Sequence, residues 1–162
     1  MQASGRCAGR SVLSAGNGSD GMDMALSLTV TGTPTADEVA AIGEGLARFN
    51  AAEVGPADRQ PLAVVVRDAA GSVVAGISGY TAWGWLYVQW LWVAEASRGA
   101  GIAGRMLEAA EGEARLRGCH GAYIDTFSPV ALKVYQRAGY QAFGELTDFP
   151  VGRTRTFLQK PL

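Results

Sequence analysis

One histidine and two cysteines are all that this chain of 162 residues offers for metal ligation or nucleophile activation. With His120 alone, a serine–histidine–aspartate triad or a multi-histidine metal site has almost no material. Cys7 and Cys119 lie far apart and fit neither a metal cluster nor a disulfide framework. Charge of one sign is also missing: 14 Lys and Arg stand against 15 Asp and Glu, for a net charge of −1. With no basic run, a nucleic-acid surface is not indicated. The longest apolar run, Leu86–Val93, is the length of a strand and too short for a membrane span. What is abundant is apolar residue, 48% against 18% charged, which predicts a globular, cytoplasmic domain with a real core.

Residues 1–23 are rich in Gly, Ser and Ala and lack periodicity, and Arg6 and Arg10 precede no apolar stretch of secretory length. They read as a disordered leader or extension, with a single domain over 24–162. Ala25–Thr31 alternates Leu26, Leu28 and Val30 and is expected to be a first strand. Thr35-Ala36-Asp37-Glu38 is a capping-box pattern, followed at helical spacing by Val39, Ile42, Leu46 and Phe49. Asn50–Pro61 reads as a connector with a short helix or loop near Ala51–Gly55. Pro61–Arg67 and Ser72–Tyr80 are strands joined by the Asp68–Gly71 turn.

Trp85–Val93 is apolar on both faces, which places it inside a sheet. Alternation puts Trp85, Tyr87, Leu91 and Val93 on one face and Leu86, Val88, Trp90 and Trp92 on the other. Most of these rings are expected in the core; one or two near Trp83–Trp85 are free to wall an acceptor pocket or a dimer surface. A helix follows over Gly101–Arg117, ended by Gly118, then a strand at Gly121–Thr126 parallel to Trp85–Val93. Pro129 opens a second helix that runs to Arg137 and stops at Gly139. Gln141–Thr147 and Arg153–Gln159 complete the count. The fold class is a mixed α/β sheet of about seven strands, mostly antiparallel around one parallel pair, with helices on both faces.

Between the central strand and its helix, Ser97-Arg98-Gly99-Ala100-Gly101-Ile102-Ala103-Gly104 crowds small residues where a helix begins. Backbone amides and the positive end of the helix dipole make that a phosphate cradle. Gly99-x-Gly101-x-x-Gly104, with Asp125 about twenty residues on, also matches a dinucleotide fingerprint. A nucleotide-binding oxidoreductase is therefore an alternative. Against it, five residues separate the strand from the glycines, and a single helix remains after residue 126. No Gly-Lys-Ser/Thr is present for a Walker loop.

Leu91-Trp92-Val93, the spacer, and Arg98-Gly99-Ala100-Gly101-Ile102-Ala103 together resemble the acetyl-CoA signature of the GNAT superfamily of N-acetyltransferases. Ala131-Leu132-Lys133-Val134-Tyr135-Gln136-Arg137-Ala138-Gly139-Tyr140 resembles its second motif, and the two span residues 85 to 146 with their strands. The resemblance implies a GNAT-like sheet whose parallel pair splays to admit the pantetheine arm. It implies a pyrophosphate held at Arg98, Gly99, Ala100, Gly101, Ile102, Ala103 and Gly104, and the arm lying along Leu91, Trp92 and Val93. Tyr135 matches the tyrosine that protonates the departing thiolate. Ser128 stands where the family often has Asn, and its shorter side chain would reach CoA through water.

The implied reaction moves acetyl from acetyl-CoA, a cosubstrate, to a primary amine of a small molecule or peptide, by direct attack in a ternary complex and with no metal. Neither Cys119 nor any serine sits where a nucleophile would be activated, so no acyl-enzyme is expected. For the amine's proton, Glu53, Asp125, Glu145 and Asp148 are candidates that no spacing separates, and the central strand carries Gln89 instead of a carboxylate. Water serves equally well. Glu95 and His120 read as exposed turn or capping residues. A non-catalytic CoA-sensing domain is the third reading. An edge strand near the C-terminus would suit a homodimer.

Overall fold

The computed structural model describes residues 26–162, so the reading of residues 1–23 lies outside the described residues. The chain divides into two units, 1–53 and 54–162. In the first, helix α1 (Ala36–Val54) starts at the predicted capping box. The Thr35 amide donates to Glu38 Oε2 at 2.6 Å and the Glu38 amide donates to Thr35 Oγ1 at 3.2 Å, satisfying two of the helix's orphan donors. No short helix follows separately; α1 continues through Ala51 to Val54 as one element of 19 residues. The strand expected at Ala25–Thr31 is absent from the described part, where residues 26–31 hold one isolated bridge at Thr29. Alternation alone does not make a strand, because its amides and carbonyls need a continuous partner ladder.

The second unit is a six-stranded sheet, one strand fewer than predicted, in the order β1-β2-β3-β4-β6-β5. Its strands are β1 (Gln60–Arg67), β2 (Val73–Ala82), β3 (Trp85–Val93), β4 (Gly121–Thr126), β5 (Gln141–Thr147) and β6 (Thr154–Pro161). β1-β2-β3 is an antiparallel meander turned at Asp68–Gly71 and at Trp83-Gly84, where both residues have positive φ as a tight hairpin requires. β3 and β4 are the parallel neighbours, linked through helix α2 (Ile102–Leu116); β6 runs antiparallel between β4 and the edge strand β5. A dinucleotide fold would need a run of adjacent parallel strands, and this order provides one pair.

α2 and helix α3 (Pro129–Arg137) pack on one face of the sheet. Met106, Leu107, Ala110 and Ala114 of α2 meet Leu62, Ala75, Ile77, Leu86, Val88, Ala122, Ile124 and Leu158 of the strands. Burying that apolar surface, at about 25 cal/mol per Å², is what holds the helices on the sheet. Cys119 is buried beside this core, and its burial pushes the thiol's pKa up.

One feature of β3 overturns the predicted alternation. Ser78 of β2 faces Trp90, but Gly79 faces Val88, so Gln89 is a bulged extra residue. A bulge shifts every later side chain to the opposite face. Leu86 and Val88 are buried in the core, and after the bulge it is Leu91 and Val93 that pack there. Trp90 and Trp92 turn to the face of Trp85 and Tyr87 and are 67% and 53% exposed. Trp83 is exposed as well, so most of the rings expected in the core are not there.

Candidate functional site

The bulge lies where the parallel pair comes apart. β3 and β4 face each other at Trp85–Gly121, Leu86–Ala122, Tyr87–Tyr123 and Val88–Ile124, and no further. β3 continues to Val93 and β4 to Thr126 without pairing, so the residues from Gln89 to Val93 present a free backbone edge toward β4. A groove of about 1420 Å³ opens from this gap, above the 300–1,000 Å³ of an ordinary small-ligand pocket. Its wall includes Leu91, Trp92 and Val93 on one side, Ser128 and Tyr135 on the other, and Arg98, Gly99, Gly101, Ile102, Ala103 and Gly104 at one end. Ala100 belongs to the same loop without lining the groove. The structure thus brings together all but one of the residues singled out from sequence.

The loop is held in place by a side-chain contact. After a single 3-10 turn (Glu95–Ser97), the Arg98 side chain folds back and its Nε donates to the Val93 carbonyl at 3.1 Å. That contact pins the loop to the end of β3. Gly99 and Gly101 hold φ of 82° and 71°, values at which a side chain is strained, and a Cβ at either would meet no protein atom. Gly101 is the N-cap of α2, with no side-chain cap and no acidic residue in the first turn. The first helical bond comes from the Arg105 amide to the Gly101 carbonyl at 3.2 Å, and the amides of residues 99–104 donate to no backbone carbonyl. Unpartnered donors at an uncapped helix start, with open space above them, fit a phosphate.

Across the gap, Tyr135 is buried on α3. Ser128 is the N-cap of that helix: its Oγ accepts from the Ala131 amide at 3.4 Å, and its own amide donates to Thr126 Oγ1 at 3.0 Å. Its first task here is to start the helix that carries Tyr135. Burial, and then the negative charge of Asp125, push the Tyr135 pKa up to about 12. The phenol is therefore a hydrogen-bond donor throughout the physiological range.

Asp125 is the carboxylate that sequence reasoning could not single out. It sits one residue past the last position of β4 that pairs with β3 and borders the groove. Arg155 Nε donates to its Oδ2 at 2.5 Å, and the Tyr87 hydroxyl reaches Oδ1 at 3.4 Å. Of the other acids weighed, Asp148 accepts the Gly152 amide in an exposed turn, and Glu145 faces Thr156 across the β5-β6 pair. His120 is exposed at a helix end, edge-on to Trp85 at 5.3 Å, and Glu95 is exposed. Among the described residues no group of His, Cys, Asp and Glu is arranged to hold a metal ion. No described helix is long and apolar enough to cross a membrane.

Comparison with known proteins agrees with this geometry. Residues 37–140 match the model of the Acetyltransferase (GNAT) family. The chain is 48% identical over 120 residues to an acetyltransferase of Agrobacterium fabrum, covering 74% of this chain and 88% of that one. It is 39% identical over 93 residues to the blasticidin-S acetyltransferase of Streptomyces morookaense, covering 57% of this chain and 68% of the other. Among solved structures, an acetyltransferase from Agrobacterium tumefaciens superposes with a TM-score of 0.80 at 42% identity, over 85% of this chain and 100% of that one.

Proposed function

The chain belongs to the GNAT family of acetyltransferases, and on that premise we propose that it transfers the acetyl group of acetyl-CoA to a primary amine of a small molecule. The observation that carries the reading is the groove running from the uncapped α2 start, along the free edge of β3, to Tyr135. In this reading the amides of residues 99–104 and Arg98 hold the pyrophosphate, and the pantetheine arm lies along Leu91, Trp92 and Val93 like an added strand. A free amide on that edge polarises the thioester carbonyl.

The neutral amine attacks that carbonyl, a C–N bond forms, and the tetrahedral centre collapses with loss of the C–S bond. Tyr135 stabilises the departing sulfur. A phenol near pKa 12 lies above a thiol's ordinary value of roughly 8.5, so complete proton transfer is uphill. What Tyr135 supplies is a hydrogen bond to sulfur as charge builds there. The amine's proton leaves to water. The amine attacks directly, without a protein nucleophile; Cys119, the one cysteine among the described residues, is buried with its thiol pKa raised.

The relative that acts on blasticidin S supports a small-molecule acceptor over a peptide. A thiol-release assay with acetyl-CoA and a panel of amines tests the reading. Amine-dependent release of one thiol per acetyl transferred is expected; binding of acetyl-CoA without release on any amine would favour a sensing domain.

A further inference from the structure

The two faces of the open β3 end differ. One carries Leu91 and Val93 into the core. The other carries Tyr87, Trp90 and Trp92, and beside it β4 presents Tyr123 and Asp125. Tyr87 and Tyr123 stack with centroids 4.6 Å apart and planes 14° apart, so two rings pack face to face across the parallel pair just before it opens. Beyond it Trp90 and Trp92, two positions apart on the same strand face, stand exposed in the groove wall. The bulge at Gln89 is what aims them there; without it they would lie in the core.

The charge on this face is specific too. Among the described residues, Asp125 is its one carboxylate in the groove, and Arg155 already neutralises it at 2.5 Å. A second cation, Arg59, lies 3.7 Å over the ring of Tyr80, which is edge-on to Tyr87. The other acids of the groove, Glu108 and Glu111, are on α2, on the far face of the sheet, and Glu111 is paired with Lys160. Among the described residues that line the groove, no unpaired carboxylate is on this face to hold a polycation. An arriving amine attacks in its neutral form, which needs no unpaired carboxylate to hold it.

Resting on the acetyl-transfer reading above, we infer that the acceptor is a monoamine attached to a planar ring, with the ring stacked on Trp90 and Trp92 and the amine delivered beside Asp125 to the gap between β3 and β4. Aromatic stacking needs no hydrogen-bond code, so ring-bearing amines as a class are favoured and flexible polyamines are not.

The test compares kcat/KM for tryptamine, spermidine and a short lysine-containing peptide in the thiol-release assay, with the wild type and with Trp90→Ala and Trp90→Phe. Acetyl-CoA-induced thermal stabilisation is followed in parallel. Tryptamine is expected to exceed both other amines by at least about tenfold. Trp90→Ala is expected to lose about tenfold on tryptamine alone, Trp90→Phe to retain most of it, and the acetyl-CoA shift to be the same in all three proteins. The inference is overturned if spermidine or the peptide is preferred, if Trp90→Ala matches the wild type on tryptamine, or if its losses are equal on all amines. Stabilisation by acetyl-CoA with no turnover of any of the three overturns it and leaves the cosubstrate site standing. Absence of that stabilisation in the wild type removes the acetyl-transfer reading itself.

Discussion

Val88 and Ile124 are the last residues at which β3 and β4 face each other, and the next residue of β3, Gln89, is bulged out of its ladder with β2. One backbone irregularity therefore coincides with two consequences. The parallel pair opens, leaving a free edge, and the following tryptophans turn out of the core.

Gly79 is the residue of β2 that permits this. A Cβ there would lie 2.0 Å from the Tyr87 carbonyl oxygen, a backbone atom that cannot step aside. Gly79→Ala is expected to destabilise the protein by about 1–3 kcal/mol and to reduce turnover with it. Urea denaturation beside the thiol-release assay checks both, and an unchanged midpoint would mean the bulge does not need this close approach.

Gly101 tests the phosphate cradle separately from the fold. Its φ of 71° makes any side chain there strained, at a cost of about 1–2 kcal/mol, while a Cβ would touch no protein atom. Gly101→Val should raise the Kd for acetyl-CoA by tenfold or more, beyond what its modest loss of stability accounts for. Calorimetric titration gives the number.

Tyr135→Phe separates chemistry from binding. Its kcat should fall by at least about tenfold with acetyl-CoA affinity unchanged. A pH signature accompanies it. The folded-state pKa of about 12 exceeds the ordinary 10, so between those values the unfolded chain gives up a proton that the folded chain keeps. Stability due to this group is full below pH 10 and declines as pH rises from 10 through 12. The wild type should lose stability more steeply over that window than Tyr135→Phe, a difference visible in denaturant midpoints.

In the groove wall, Glu111 is 3% exposed and its Oε2 accepts from Lys160 Nζ at 2.6 Å, with Arg115 at 3.6 Å. Its Oε1 and the Tyr140 hydroxyl are buried without hydrogen-bond partners among the described residues. Lys160→Met would leave a buried carboxylate with Arg115 alone and is expected to cost about 3 kcal/mol. Adding Glu111→Leu removes the stranded charge and should recover most of that loss. A double-mutant cycle by urea denaturation measures it.

Much of this architecture is legible in the chain because it is written locally. Thr35 and Glu38 announce α1, Pro129 and Gly139 bracket α3, and the Gly99–Gly104 loop marks one end of the groove. What escaped is set by partners far away in sequence. The bulge at Gln89 depends on Gly79 across the ladder, so simple alternation put Trp90 and Trp92 on the wrong face. Asp125 is distinguished from other acids by Arg155, thirty residues on, and by Tyr87 on another strand. Of the strand expected at Ala25–Thr31, the described residues 26–31 have the right alternation and hold a single bridge in place of a ladder. A missing partner leaves no mark on the segment itself.

The central claim is acetyl transfer from acetyl-CoA to an amine, and its most direct measurement is free thiol released when purified protein is mixed with acetyl-CoA in the presence and absence of tryptamine. Release is expected to depend on the amine, to match N-acetyl product one for one, and to drop at least about tenfold in Tyr135→Phe. Thiol release at the same rate with and without amine, or no release with any amine tried, would contradict it.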